Sequence, residues 1–124
     1  VLITGLVVEL ELCLSGLNQS WNLMQNVNAG RFYNVPIYST SQIFEQNLDK
    51  LGLLKDETLR SVLNSHYGFE QYRNVALMNG ELVNEGRSVR MNSEGITAMA
   101  QNFPELRTTF RNAIEALKRD RGDS

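Results

Sequence analysis

A single cysteine, Cys13, rules out an internal disulfide and any cysteine-rich metal site. With only one histidine, His66, a transition-metal centre lacks its usual ligand set, so neither a metal nor a cofactor is expected. A strong charge imbalance is missing as well. Twelve Lys and Arg against fourteen Asp and Glu leave a net charge of −2, which gives no general attraction to nucleic acid. From Gly86 onward seven basic residues face five acidic ones, a slight excess that reads as a solvated face. The apolar opening Val1 to Val8 is too short to span a bilayer, which takes roughly 20 apolar residues. No phosphate loop, dinucleotide fingerprint, serine elbow or nucleic-acid motif is present. No catalytic residue is therefore assigned, and a protein that is not an enzyme is favoured. Sustained period-two alternation and long repeats are also missing, which points away from sheets and solenoids.

What is there suits one domain over 1–124. The 42% apolar and 21% charged composition is ordinary for a globular chain long enough to bury a core without staples. Residues 120–124 read as a loose tail. The first eight, VLITGLVV, are apolar all round. Two readings of them stay open: the end of a membrane segment that continues upstream of Val1, or a buried helix terminus.

The periodicity is helical throughout. Ile3, Val7, Leu10, Leu14, Leu17, Trp21 and Met24 follow the alternating four-three spacing of a helix seam, widened by Leu6, Cys13 and Val27, which predicts a first helix over 2–27. Arg31 to Ile37 reads as an extended link. Ser39 with Gln42 forms a capping box, and Tyr38 with Ile43 a hydrophobic staple, for a short helix over 40–51 that Gly52 closes as a left-handed cap. Asp56 and Glu57 then open a long helix to about Val83, with Asn79-Gly80 as an earlier stop. Its apolar face contains Leu59, Val62, Leu63, Phe69 and Leu77. Gly86 to Asn92 reads as a turn, Ile96 to Ala100 as a short helix, and Asn102 as the cap of a last helix with Pro104 in its first turn. The fold class expected is all-α, an antiparallel bundle of three long helices with one short cross-piece.

The run STSQIFEQNLDKLGLL, the aromatic-centred helix after it with Leu63, His66, Tyr67 and Glu70, and the early ELELCL resemble a group of uncharacterised bacterial proteins. In that group one N-terminal membrane helix leads into a small helical domain. The resemblance covers about Leu2 to Leu77. It implies a membrane-associated soluble domain, on either side of the bilayer, and supplies no catalytic residues. A cytoplasmic protein is the alternative.

Candidate binding residues cluster on the third helix. His66, Glu70 and Arg73 are spaced i, i+4 and i+7, so they share one helix face. There they make either a ligand site or a half-buried polar network. Tyr67 and Tyr72 nearby either line a pocket or fill the core. Two functions follow. The first is a non-enzymatic interaction or sensory module, tethered to a membrane, that meets a protein partner or itself through apolar helix faces. The second is a small-molecule-binding bundle that uses the aromatics and the His66, Glu70 and Arg73 stripe.

Overall fold

Leu6, Leu10, Cys13, Leu17, Ser20 and Met24 repeat at four-three spacing, and all six are buried along a helix, α1, Leu2–Met24. The structure, a computed structural model, describes residues 2–25, 30–37 and 42–122. The buried stripe of α1 lies on the Leu6 and Cys13 side of the expected seam, and Ile3, Leu14 and Trp21 are only partly buried beside it. After α1 comes a strand, β1 (Phe32–Pro36), then a short helix, α2 (Gln42–Gln46), and a 3-10 helix over Leu48–Leu53. The second long helix, α3 (Asp56–Met78), is followed by β2 (Gly80–Val83), β3 (Ser88–Asn92), a short helix α4 (Ser93–Ala100) and the last long helix α5 (Phe103–Arg121).

The three long helices are in place, but the chain is mostly α and not all-α. β1, β3 and β2 form an antiparallel sheet with β3 in the middle. The expected link at 31–37 and the expected turn at 86–92 are thus largely strands, and the expected tail of the third helix over 80–83 is a strand too. Opposed residues share a face, so Tyr33, Val35, Val89 and Met91 lie on one side, and Val35, Val89 and Met91 are essentially without solvent exposure. On the other side the Arg90 guanidinium lies 4.7 Å from the Phe32 ring centre.

The β2–β3 turn bends at Asn84 and Glu85, both with positive φ (54° and 58°), and closes with Gly86 N–H donating to the Val83 carbonyl at 3.2 Å. Two left-handed central residues match the twist of a hairpin, and Asn tolerates that conformation well, whereas Glu does not. Gly80 is required for a different reason. A Cβ there would collide with the Arg90 carbonyl and the Val89 side chain on the paired strand.

Further helix ends differ from expectation. Gly52 has no positive φ; it lies inside the 3-10 helix, whose end is closed by Leu54 N–H donating to the Leu51 carbonyl, so no left-handed cap forms there. Asn102 does stand at the start of α5, but its side chain makes no cap bond. Asn92 caps α4 instead, its Oδ1 accepting from Gly95 N–H at 2.9 Å. Asp120 and Arg121, expected in a loose tail, are helical, and Lys55 N–H donates to Asp120 Oδ2 at 3.0 Å. The capping box and staple need Tyr38 and Ser39, which lie outside the described residues, and the side chains of Gln42 and Ile43, which are not described either.

α5 packs against both α1 and α3. Arg121 reaches Thr4, Lys118 pairs with Glu11, and Trp21 stacks on Phe103 at 4.8 Å, so α1 and α5 are antiparallel. Thr58 to Ala116 and Tyr72 to Phe103 give the same relation between α3 and α5. On α3 the buried stripe is Thr58, Val62, Ser65, Phe69, Tyr72 and Ala76, roughly a quarter turn from the expected face, while Leu63 and Leu77 are exposed. Hydroxylic residues take core positions on α3 because their polar atoms are satisfied, one within the helix and one across to α5. Ser65 donates to the Val62 carbonyl at 2.7 Å, and Thr58 to the Ala116 carbonyl at 3.4 Å.

The hairpin gives a paired prediction. Gly80→Ala is expected to lower stability by about 1–3 kcal/mol through overpacking, and Glu85→Gly to raise it by up to about 1 kcal/mol by relieving a left-handed side chain. Urea unfolding checks both, and equal midpoints for the two variants would contradict this description of the turn.

Candidate functional site

The quarter-turn placement of α3 decides which of its side chains meet. One flank of the buried stripe carries His66 and Arg73, with Glu70 further round; the other carries Ser61, Asn64, Gly68, Gln71 and Val75. The His66 ring stacks on Phe44 of α2, with centroids 4.2 Å apart and planes 16° from parallel. Glu9 and Leu10 of α1 border the same place, and the space left there is about 10 Å³, too little for a ligand. His66 therefore serves as an aromatic plate that holds α2 against α1 and α3. Glu70 and Arg73 are half-buried on this flank, and among the described residues no ion pair joins them; the Arg73 Nε is buried without a hydrogen-bond partner.

The opposite flank opens into a cavity of about 510 Å³ between α3 and α5, closed at one end by Met99 of α4. Tyr67 and Tyr72 both line it. Their roles differ. Tyr72 is 6% exposed and packs edge-on against Phe103, whereas Tyr67 is 67% exposed at the rim. Val75, Met99 and Leu106 supply the apolar part of the lining. Gly68 brings the helices close, since a Cβ there would lie 3.1 Å from Leu106 Cδ1.

Along the walls stand four carboxamides, Asn64 and Gln71 from α3, Asn102 just before α5 and Asn112 within it. None of the four side chains is engaged in a hydrogen bond among the described residues. Each offers two donors and an acceptor. Glu105 is the one charged residue of the lining, and it stands in the first turn of α5, where a negative charge suits the helix dipole. The Thr109 hydroxyl is already committed, donating to the Glu105 carbonyl at 3.0 Å.

The sequence reading thus names two members of this lining, Tyr67 and Tyr72, and three residues of the other flank. Asn64, Gln71, Asn102, Glu105 and Asn112 are missed. All five are exposed, so the sequence reads them as solvated surface, and only the placement of α5 beside α3 shows that they border one groove. Spacing alone relates Asn64 to Gln71, two turns apart, but nothing local relates either to α5.

Elsewhere the groups with reactive potential are subdued. Among the described residues no cluster of three or more His, Cys, Asp or Glu is arranged to hold a metal ion. Cys13 is buried on the core side of α1, and its thiol pKa is pushed up to about 12, first by burial and then by the nearby Glu9 carboxylate.

Compared with known proteins, the chain matches no family model, no curated protein and no solved structure.

The buried thiol makes a sign-definite prediction. Because folding raises the Cys13 pKa, its contribution is fully present below pH 9.0 and is lost as pH rises from there toward 12, where the unfolded thiol ionises and the folded one does not. Between pH 8 and about pH 10.5 the protein is expected to lose on the order of 1–2 kcal/mol more than a Cys13→Ala variant. At pH 8 iodoacetamide should label Cys13 only when urea is added. Rapid labelling of the folded chain would contradict the burial.

Proposed function

We propose that the chain is a non-enzymatic interaction module associated with a membrane, and that it binds its partner in the groove between α3 and α5. The observation that carries this reading is the lining itself. Unengaged carboxamides along both walls, an apolar floor and one exposed tyrosine are the ingredients of polar recognition. The same lining holds one carboxylate and no imidazole or amine, so it offers no paired general acid and base.

The membrane part rests on α1. By length and composition Leu2–Met24 is apolar enough to cross a bilayer, and the same properties suit a core helix or a signal sequence. Here its Leu6, Leu10 and Leu17 face the core. Val8 and Leu12, 49% and 70% exposed, remain on its outer side near the N-terminal end, and that end is where we place the membrane contact. A small-molecule-binding bundle is the second reading, favoured by the two tyrosines in the groove and differing chiefly in the size of the occupant.

Site-specific photo-crosslinking tests the proposal. With a benzophenone amino acid at position 67 in the complete reading frame, expressed in the cells of origin, a crosslinked protein is expected in the membrane fraction. The same probe at exposed Leu53, outside the groove, is expected to give none. Equal crosslinking at both positions, or a wholly soluble product, would contradict the reading.

A further inference from the structure

The shape and chemistry of the groove go further, resting on the interaction reading above, and name a class of occupant. We propose that the groove takes an extended polypeptide segment, bound through its backbone by the carboxamides and carrying a Lys or Arg side chain against Glu105.

Length is the first argument. The α3 wall runs from Ser61 to Val75, fourteen helical steps of about 1.5 Å each, so the groove is about 21 Å long. An extended chain of about six residues, at roughly 3.3 Å each, covers the same distance. Because α3 and α5 are antiparallel neighbours, the trough between them runs along their length and suits a linear ligand better than a compact one. Asn64 and Gln71 lie two turns apart, about 10.5 Å, which is the span of about three extended residues.

The hydrogen-bonding inventory is the second. A peptide backbone alternates N–H donors and C=O acceptors along its length, and a carboxamide is the side chain that answers both. Two such groups on each side place donors and acceptors on both flanks of the ligand; all four residues are solvent-exposed, and among the described residues none of the four side chains has a protein hydrogen bond, so a ligand there exchanges with water alone. Between them Val75, Met99 and Leu106 receive alternate aliphatic side chains, and the thioether of Met99 adapts to their shape.

Charge is the third. Glu105 is the one charge in the lining, so a basic side chain is favoured there over an acidic one. An oligosaccharide is compatible with that charge but not with the surface. Sugar rings stack on flat aromatic faces, and here Tyr72 is buried edge-on while Tyr67 alone offers an open ring.

The test is a selection of random heptapeptides displayed on phage against the 124-residue chain, followed by titration of the selected peptides into the isotopically labelled protein. The expected result is a shared basic position, and shifts in the amide signals of Asn64, Gln71, Asn102 and Asn112. Affinity for those peptides should fall about fivefold in Glu105→Gln, the scale of one partly exposed ion pair, and return in Glu105→Asp. Glu105 is exposed, so an unchanged melting profile will show that the variants fold. Selected peptides that lack a common basic residue, ignore Glu105→Gln or shift signals outside the groove overturn the inference. Maltohexaose shifting the groove signals where no peptide does overturns the polypeptide class and leaves the interaction reading standing. Loss of the Tyr67 crosslink in cells, by contrast, overturns that reading and this inference with it.

Discussion

Everything else in this fold depends on the burial of one side of α5 between two helices that run the other way. Phe103, Phe110 and Leu117, seven residues apart, are without solvent exposure, and Leu106 and Ala113 fill the intervals. Each fully buried Phe or Leu contributes about 1.5–3 kcal/mol relative to an exposed one. The same four-three spacing recurs in the buried stripes of α1 and α3, so three helices present matched seams to a common axis. By comparison, the two surface ion pairs, Lys118 with Glu11 at 4.0 Å and Arg119 with Glu57 at 3.6 Å, join well-exposed side chains and add little.

That arrangement also makes the groove. α3 meets α5 through small residues, with Gly68 allowing Leu106 to approach, and the interface is tight along the Thr58 to Ala76 stripe. Beyond the stripe the helices curve away from one another as cylinders must, and the residues on the diverging flanks are carboxamides in place of leucines. On the other flank the same divergence is filled by α2, through Phe44 stacked on His66. One side of α3 is thus covered by the chain itself, and the other is left open.

How much of this was legible in the sequence varies by element. α5 was nearly complete, because Leu106, Phe110, Ala113, Ile114 and Leu117 form an unbroken stripe and Pro104 fixes its start. α3 was found but misoriented. Hydropathy weights Leu59, Leu63 and Leu77, whereas the fold buries Thr58, Ser65 and Ala76, whose small size is what close helix packing requires. The sheet was missed although Ser88-Val89-Arg90-Met91-Asn92 does alternate in period two. Five residues are too few to outweigh the surrounding helical pattern, and the turn at Asn84-Glu85 lacks the Asn-Gly pair that announces such hairpins. Of the candidate site, Tyr67 and Tyr72 were legible as aromatics. The carboxamides were not, since their meaning comes only from α5 lying opposite.

The central claim, that α5 holds α1 and α3 in one cooperative unit, is tested most directly by hydrogen exchange on a Phe110→Ala variant. Truncating this fully buried ring, which also meets Phe69 edge-on at 6.3 Å, costs about 3–5 kcal/mol if the core is shared. The account predicts that amide protection falls together in α1, α3 and α5, by the same free energy in each. Protection lost around residue 110 alone, with α1 unaffected, would contradict it.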